Sequence, residues 1–275
     1  MKPDPPDGEL RRRILVGTSG YSFPDWVGPF YPKGLKNEDM LAYYAERFPA
    51  VEINTSYYRM PDAKLFERMI ERTPEGFLFM VKGFKGMTHD PSEWKDGTIC
   101  EPFREALVPL EEAGRFSGML LQFPWAFRNT EENRRHLVVL RERLEGVKLF
   151  VEFRRDEWNR APVFDFLQQL GLGWCSVDEP PLPGLLPPDH HVTNGTGYVR
   201  FHGRNRDAWW KSGPGEGKDR YDYLYSPEEL KDWVRKIRNL LSGTDRTFVF
   251  FNNCYSGQAA DNARIMQELL FENQL

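Results

Sequence analysis

The stretch VEINTSYYRMP, residues 51–61, begins with a short apolar strand that ends in polar side chains. Val51 and Ile53 face one side of this strand and Glu52 and Asn54 face the other, because strand side chains alternate with a period of two. A buried carboxylate without a partner costs several kcal/mol. We therefore expect Glu52 to meet partners that neighbouring strands supply.

Seven further apolar runs alternate with helical patterns along the 275 residues. The eight predicted strands are 14–18, 51–54, 77–82, 117–123, 148–154, 173–178, 197–202 and 247–253. The predicted helices cover roughly 37–48, 63–73, 101–114, 130–146, 163–170, 226–241 and 258–271. Strands that alternate with helices favour parallel pairing, so the pattern predicts an α/β protein with a (β/α)8 barrel of the TIM type. A doubly wound open sheet is the competing fold.

The sixth unit and the N-terminus depart from this regular pattern. The segment DEPPLPGLLPPDHH, residues 178–191, is too rich in proline for a normal helix, so an extended crossover is expected there. The first residues are polar, and we expect a disordered or loosely packed tail over 1–12 before a single barrel domain over 13–275. The helix over 226–241 is well marked, because Ser226, Pro227 and Glu229 form a capping box.

Composition and charge exclude several function classes. The chain is 28% charged and 40% hydrophobic with a formal net charge of −4, so no global basic field attracts nucleic acid or anionic membranes. We expect neither a signal peptide nor a spanning helix, since the polar N-terminus has no apolar core. The odd number of widely spaced cysteines, Cys100, Cys175 and Cys254, favours reduced thiols and a cytoplasmic location. The oligomeric state stays open.

Polar residues gather at the carboxyl ends of the predicted strands. They are Glu52, Asn54, Lys82, Gln122, Glu152, Arg154, Asp178, Arg200, His202 and Asn252. Barrel active sites are built at that end, so the pattern predicts a functional site at the barrel mouth. The alternative is a purely structural network in which three carboxylates and three cations neutralise one another.

Taken together, these residues predict an enzyme. It would perform acid–base chemistry on a small polar substrate that carries a phosphate or carboxylate. The catalytic candidates are Glu52, Glu152, His202 and Asp178, of which the glutamates would act as general base or acid and His202 as a second proton-transfer group. The binding candidates are Asn54, Lys82, Gln122, Arg154, Arg200, Arg204, Trp209, Asn252 and Asn253. Among them Arg154, Arg200 and Arg204 would clamp the anion, since a guanidinium matches carboxylate and phosphate geometry.

The loop over 203–226 interleaves cations with tryptophans and tyrosines. This mixture suits an anionic, ring-bearing ligand, although the same residues could pack the loop over the barrel rim. It also supports an alternative function, a nucleic-acid-binding or nuclease-like protein, which the acidic net charge disfavours. A non-catalytic ligand sensor is a third possibility.

Cofactor signatures are missing from the sequence. There is no GxGxxG or GxxxxGK[ST] motif, and a multi-zinc site would need more strand-end histidines than His202. We therefore expect no organic cofactor and no metal. A single Mg²⁺ or Mn²⁺ on Glu52, Glu152 or Asp178 is conceivable, but the adjacent cations argue against it.

Six ordered motifs carry a family resemblance. They are VGTSGYSFPDW (16–26), VEINTSYYRMP (51–61), LLQFPWAF (120–127), VEFR (151–154), YVRFHGR (198–204) and FVFFNNCYSGQAADNA (248–263). Together they resemble the YecE-like family of uncharacterised TIM-barrel proteins, known as domain of unknown function 72, over roughly residues 13–270. The resemblance implies a TIM-type barrel and brings no biochemical function with it. Its motifs contain eight of the ten polar strand-end residues already selected, namely Glu52, Asn54, Gln122, Glu152, Arg154, Arg200, His202 and Asn252.

Overall fold

The structure is a computed structural model that describes residues 7–90, 98–211 and 216–271. Nine strands are found there: β1 (Ile14–Thr18), β2 (Ala50–Ile53), β3 (Leu78–Lys82), β4 (Phe116–Gln122), β5 (Leu149–Glu152), β6 (Gly173–Trp174), β7 (Ser176–Asp178), β8 (Thr196–Phe201) and β9 (Arg246–Phe251). Every predicted strand is present, and the sixth is split into β6 and β7 at Cys175.

Nine α-helices are found in the described residues, and seven of them match predicted helices, while α1 and α3 were not predicted. They are α1 (Asp7–Arg13), α2 (Met40–Ala45), α3 (Thr55–Tyr58), α4 (Ala63–Glu71), α5 (Cys100–Glu112), α6 (Glu131–Arg143), α7 (Ala161–Leu170), α8 (Pro227–Leu240) and α9 (Gln258–Phe271). The capping box at the start of α8 is confirmed, because Ser226 and Glu229 each bond the other's backbone nitrogen. No helix follows β7 before β8, which confirms the extended crossover. In the described part of the chain, no helix has the length and apolar character needed to span a membrane.

The strands form two parallel sheets, in the orders β1-β9-β8-β7 and β2-β3-β4-β5-β6. The predicted α/β class with parallel strands is therefore confirmed, while the strands are divided between two sheets rather than joined in one closed ring. The sheets approach each other at both edges. At one edge Ser19, which follows β1, forms an isolated parallel bridge with Glu52 of β2. At the other edge only Cys175 separates β6 of one sheet from β7 of the other.

The N-terminal prediction needs correction. Residues 1–6 lie outside the described residues, but Asp7–Arg13 form α1 instead of a loose tail. Leu10 is buried in the hydrophobic core, and the Arg13 guanidinium donates to the backbone oxygens of Leu241 and Thr244, each at 2.7 Å. Leu10 and Arg13 thus hold this short helix against the rest of the fold.

Strand register decides which polar side chains share a face. Residues directly opposite each other in a parallel sheet point to the same side. Gln122 pairs with Glu152, so these two share a face. At the β7–β8 pair, Val177 rather than Asp178 is opposite Arg200. Asp178 therefore faces away from Arg200, contrary to the sequence prediction that grouped them.

Candidate functional site

The deepest polar group consists of Glu52, Glu152, Arg200 and Tyr198, which we refer to as the ion-pair centre. Arg200 Nη2 donates to Glu52 Oε1 at 2.7 Å, and Arg200 Nη1 donates to Glu152 Oε2 at 2.5 Å. The Tyr198 hydroxyl donates to Glu52 Oε2. All four side chains are buried, so Glu52 has the partners that its position in β2 requires.

Glu152 and Arg200 are both held in their charged forms in this centre. Burial by itself opposes ionisation of Glu152, but Arg200, His202 and Arg154 together outweigh it and hold the pKa of Glu152 well below its ordinary value. The two glutamates likewise raise the pKa of Arg200 well above its ordinary value, although burial opposes this. Tyr198 was missed by the sequence reasoning. It alternates with Arg200 and His202 along β8, and that parity could have revealed it.

His202 lies beside the centre as a neutral ring. The Asn252 side-chain nitrogen lies 3.0 Å from His202 Nδ1, and His202 Nε2 lies 3.2 Å from Glu152 Oε1. With the Asn252 amide donating to Nδ1, the ring proton is on Nε2 and faces the carboxylate. Burial lowers the pKa of His202 to about 3, so the ring stays neutral near pH 7.

Arg154 connects the centre to the surface. Its Nη2 lies 3.0 Å from Glu152 Oε1, its Nη1 donates to Glu179 Oε2 at 3.0 Å, and its side chain is 14% exposed. Burial raises the pKa of Glu179 to about 8, against the opposing effect of Arg154. Glu179 was missed because it has the opposite parity to Asp178. The sequence did offer one indication of its role, because Asp178 and Glu179 form an acidic pair directly before the proline-rich segment.

Lys82 is the half-buried cation at the end of β3. Its amine donates to Gln122 Oε1 at 2.9 Å and lies 4.2 Å from the centre of the Tyr57 ring. Gln122 Nε2 donates to the Phe123 oxygen at 2.9 Å, which holds the amide oxygen toward Lys82. Among the described residues no carboxylate forms an ion pair with this amine. Burial, followed by repulsion from Arg200, lowers the pKa of Lys82 to about 7.

Lys82, Gln122 and Arg154 open into one cavity of about 320 Å³, which we refer to as the mouth cavity. Tyr57, Trp209 and Trp210 are among its walls. Trp209 is 4% exposed, and the Arg154 guanidinium lies 5.9 Å from its ring centre. The cavity thus combines a polar, cationic floor with aromatic walls, and it lies where β3, β4 and β5 end.

Asn54 is placed elsewhere. It precedes α3 and lines a second cavity of about 660 Å³ together with Ser22 and Arg59. That cavity is larger, but Lys82 and Arg154 line the mouth cavity, and Arg154 Nη2 lies 3.0 Å from Glu152 Oε1 of the ion-pair centre. The mouth cavity is therefore the candidate functional site.

Asp178 belongs to a separate group with Arg204, Tyr225 and Trp233, which we refer to as the Asp178 cluster. Arg204 Nε and Nη2 donate to its two oxygens at 2.8 and 2.7 Å, Tyr225 donates at 2.7 Å and Trp233 at 2.6 Å. The cluster lies on the face of β7 and β8 that packs against α8. The predicted clamp of Arg154, Arg200 and Arg204 is therefore not assembled.

Asn253 is also remote from the mouth cavity. Its side-chain nitrogen donates to the Tyr223 oxygen and to Asn262 Oδ1, each at 2.8 Å, and so ties the 203–226 loop to α9. Within residues 7–90, 98–211 and 216–271, no group of three or more His, Cys, Asp or Glu side chains could hold a metal ion.

The chain matches known proteins over nearly its whole length. A family model described as "Protein of unknown function DUF72" matches residues 15–275. The chain belongs to this DUF72 family. The UPF0759 protein YunF of Bacillus subtilis (strain 168) is 32% identical over 272 residues, which cover 94% of each chain.

Solved structures of DUF72 proteins resemble this one. A DUF72 family protein from Thermotoga maritima MSB8 is 41% identical with a TM-score of 0.85, covering 94% of this chain and 99% of that one. A DUF72 family protein from Enterococcus faecalis V583 is 27% identical with a TM-score of 0.83, covering 94% and 95% of the two chains. The family resemblance of the sequence motifs is thereby confirmed, and the DUF72 description gives no reaction.

Proposed function

We propose that this protein is an enzyme that performs acid–base chemistry on a small anionic substrate in the mouth cavity. One observation carries the proposal. Lys82, which has no carboxylate ion-pair partner among the described residues, opens into the same 320 Å³ cavity as Arg154. A volume of this size falls within the range of small-molecule sites, which combine apolar walls with a few converging polar groups.

The substrate's carboxylate or phosphate would lie between the Arg154 guanidinium and the Lys82 amine. Arg154 already spans Glu152 and Glu179, which fixes its plane for a charge-assisted hydrogen bond. The rings of Tyr57 and Trp209 would pack against the substrate's apolar part. A low-dielectric cavity strengthens these interactions relative to water.

The proton-transfer roles differ from those expected from the sequence. Glu52 and Glu152 each accept a hydrogen bond from Arg200. We therefore propose that they hold the Arg200 guanidinium in place and contribute to the electrostatic potential of the site. Lys82 is better suited as the general base, because a pKa of about 7 matches neutral pH. His202, with a pKa of about 3, would orient Glu152 without exchanging protons at neutral pH.

We also propose that the two sheets together form a TIM-type barrel. The bridge of Ser19 with Glu52 at one edge, and the direct continuation of β6 into β7 through Cys175 at the other, support a ring of parallel strands. In such a barrel the active site lies at the carboxyl ends of the strands, where Lys82, Gln122 and Arg154 are found.

The test is a ligand screen read by melting temperature, with phosphorylated and carboxylated metabolites on the wild type and Arg154→Met. A ligand that binds only the native state raises its melting temperature. We expect at least one anionic metabolite to stabilise the wild type, with most of the shift lost in Arg154→Met and retained in Arg235→Met, an exposed control on α8. Shifts that are equal in all three proteins would remove the mouth cavity as the site.

The nucleic-acid alternative has weaker support. In the 203–226 loop, Arg204 is committed to Asp178 and Trp209 is buried, while Trp210 is 53% exposed and available for stacking. A titration with single- and double-stranded oligonucleotides at low salt tests this function. Binding with a log–log salt slope of about one per phosphate contact would favour it over the small-substrate proposal.

A further inference from the structure

We propose that Lys82 is a nucleophilic amine that forms an imine with the carbonyl group of an anionic oxo compound, such as a 2-oxo acid or a phosphorylated aldehyde. This inference rests on the proposed function, since it uses the mouth cavity as the substrate site. It goes further by naming a carbonyl as the reacting group and a covalent intermediate as the route.

The position of the amine carries the inference. Lys82 ends β3, so its backbone is held by the sheet while its amine reaches the cavity. The amine is oriented by the Gln122 oxygen at 2.9 Å and by the Tyr57 ring at 4.2 Å. An amide oxygen accepts a hydrogen bond without carrying a full negative charge, so it orients a lysine amine without fixing it in the charged form as a paired carboxylate does.

The surrounding charges favour a neutral amine. Burial and the nearby cations Arg200 and Arg154 act against the protonated form, while Glu152 and Glu52 act for it. His89, which packs edge-on against Tyr57 at 5.2 Å, has its pKa lowered by burial to about 4 and adds no charge near pH 7. With the pKa of Lys82 lowered to about 7, roughly half of the amine is unprotonated at neutral pH. Desolvated lysines of this kind act as Schiff-base nucleophiles.

The step balances without an oxidant or reductant. The nitrogen lone pair attacks the carbonyl carbon, a C–N bond forms, and the carbonyl electron pair moves to oxygen, which takes up a proton to give a carbinolamine. The nitrogen then loses one proton to solvent, the hydroxyl leaves as water after solvent protonates it, and a C=N bond forms as an iminium ion. Loss of the second nitrogen proton to solvent gives the neutral imine. One amine and one carbonyl thus yield one imine and one water. The substrate's anionic group would meanwhile contact Arg154, which sets the distance between anion and carbonyl.

The experiment is reductive trapping on the full chain. The protein is incubated at pH 7 with glyoxylate, pyruvate or glyceraldehyde 3-phosphate and sodium cyanoborohydride, and adducts are located by intact mass and peptide mass spectrometry. We expect one dominant adduct at Lys82, formed about tenfold or more faster than at the exposed Lys64, because an unperturbed lysine with a pKa of about 10.4 is almost wholly protonated at pH 7. Adducts spread over exposed lysines with Lys82 unmodified would overturn the inference.

Two controls separate this inference from the proposed function. Lys82→Met should lose the dominant adduct, and competitive acetylation of wild-type Lys82 across pH 6 to 10 reports its reactivity without a variant. If Lys82 stays unmodified while anions still stabilise the wild type through Arg154, the imine is wrong and the anion site stands. If Lys82 reacts equally with neutral and anionic aldehydes, and Arg154→Met changes nothing, the amine is nucleophilic and the anionic substrate is wrong.

Discussion

The ion-pair centre and the Asp178 cluster each join a buried carboxylate to an arginine and a tyrosine, and they lie on opposite faces of β8. In the Asp178 cluster, each carboxylate oxygen of Asp178 accepts two hydrogen bonds from Arg204, Tyr225 and Trp233. In the centre, Glu152 Oε1 has no well-aligned hydrogen bond, although Arg154 Nη2 and His202 Nε2 lie at 3.0 and 3.2 Å. In the Asp178 cluster every carboxylate oxygen is fully hydrogen-bonded, and the cluster joins β7 to α8. The ion-pair centre is connected to the mouth cavity through Arg154.

The largest effect should come from removing the arginine of the centre. Arg200→Met leaves Glu52 and Glu152 buried without their common cation, and breaking a buried pair costs about 3–5 kcal/mol. Arg204→Met should cost less, about 1–3 kcal/mol, because Asp178 keeps two other donors and the Arg204 side chain is 25% exposed. Urea unfolding of both variants measures the comparison. If Arg204→Met is the less stable of the two variants, the prediction that the ion-pair centre depends more on its arginine than the Asp178 cluster does is wrong.

A smaller effect is expected in the pH dependence of stability. The pKa of Lys82 is lower in the folded chain than in the unfolded one, so the unfolded state binds more protons between about pH 7 and 10.4. Lys82 therefore makes stability rise with pH across that window. Allowing for solvent screening of a half-buried group, the wild type should gain about 1 kcal/mol relative to Lys82→Met between pH 7 and 9.

Urea unfolding of both proteins at several pH values measures this difference. Taking the difference between proteins cancels the titration of shared cysteines and tyrosines. Lys64→Met, at an exposed position of α4, should run parallel to the wild type. Parallel curves for Lys82→Met as well would mean that the amine has an ordinary pKa.

The contribution of Glu179 to the pH dependence of stability should have the opposite sign to that of Lys82. Replacing Glu179 should also have a smaller effect on stability near neutral pH. Its pKa is raised to about 8, so the folded state binds more protons than the unfolded state from about pH 4.3 to 8, and stability falls as pH rises through that window. Glu179→Gln resembles the protonated acid and should change stability by less than about 1 kcal/mol at pH 6. A large loss at pH 6 would indicate that Glu179 is ionised and paired with Arg154.

The strand positions could be predicted because alternation and apolar runs are local signals. The face of Asp178 could not, because a one-residue difference in register exchanges the two faces of a strand, and the β7–β8 pairing that places Val177 opposite Arg200 is a tertiary contact. Glu179 is directed inward by its crossover, where it accepts from the Leu186 nitrogen at 3.1 Å. The hydrogen bond of Lys82 with Gln122 could not be predicted either, because it joins two strands and depends on how they pair in the folded structure. Tyr198, by contrast, was available from parity alone.

The most direct test of the central claim is a crystal structure grown at pH 7 in high phosphate. The account predicts a phosphate in the mouth cavity within hydrogen-bonding distance of both the Arg154 guanidinium and the Lys82 amine. It predicts none against Arg204, which belongs to the Asp178 cluster and is not among the residues that line the mouth cavity. A mouth cavity that holds only water under these conditions, or a phosphate bound at the Asp178 cluster instead, would contradict the account.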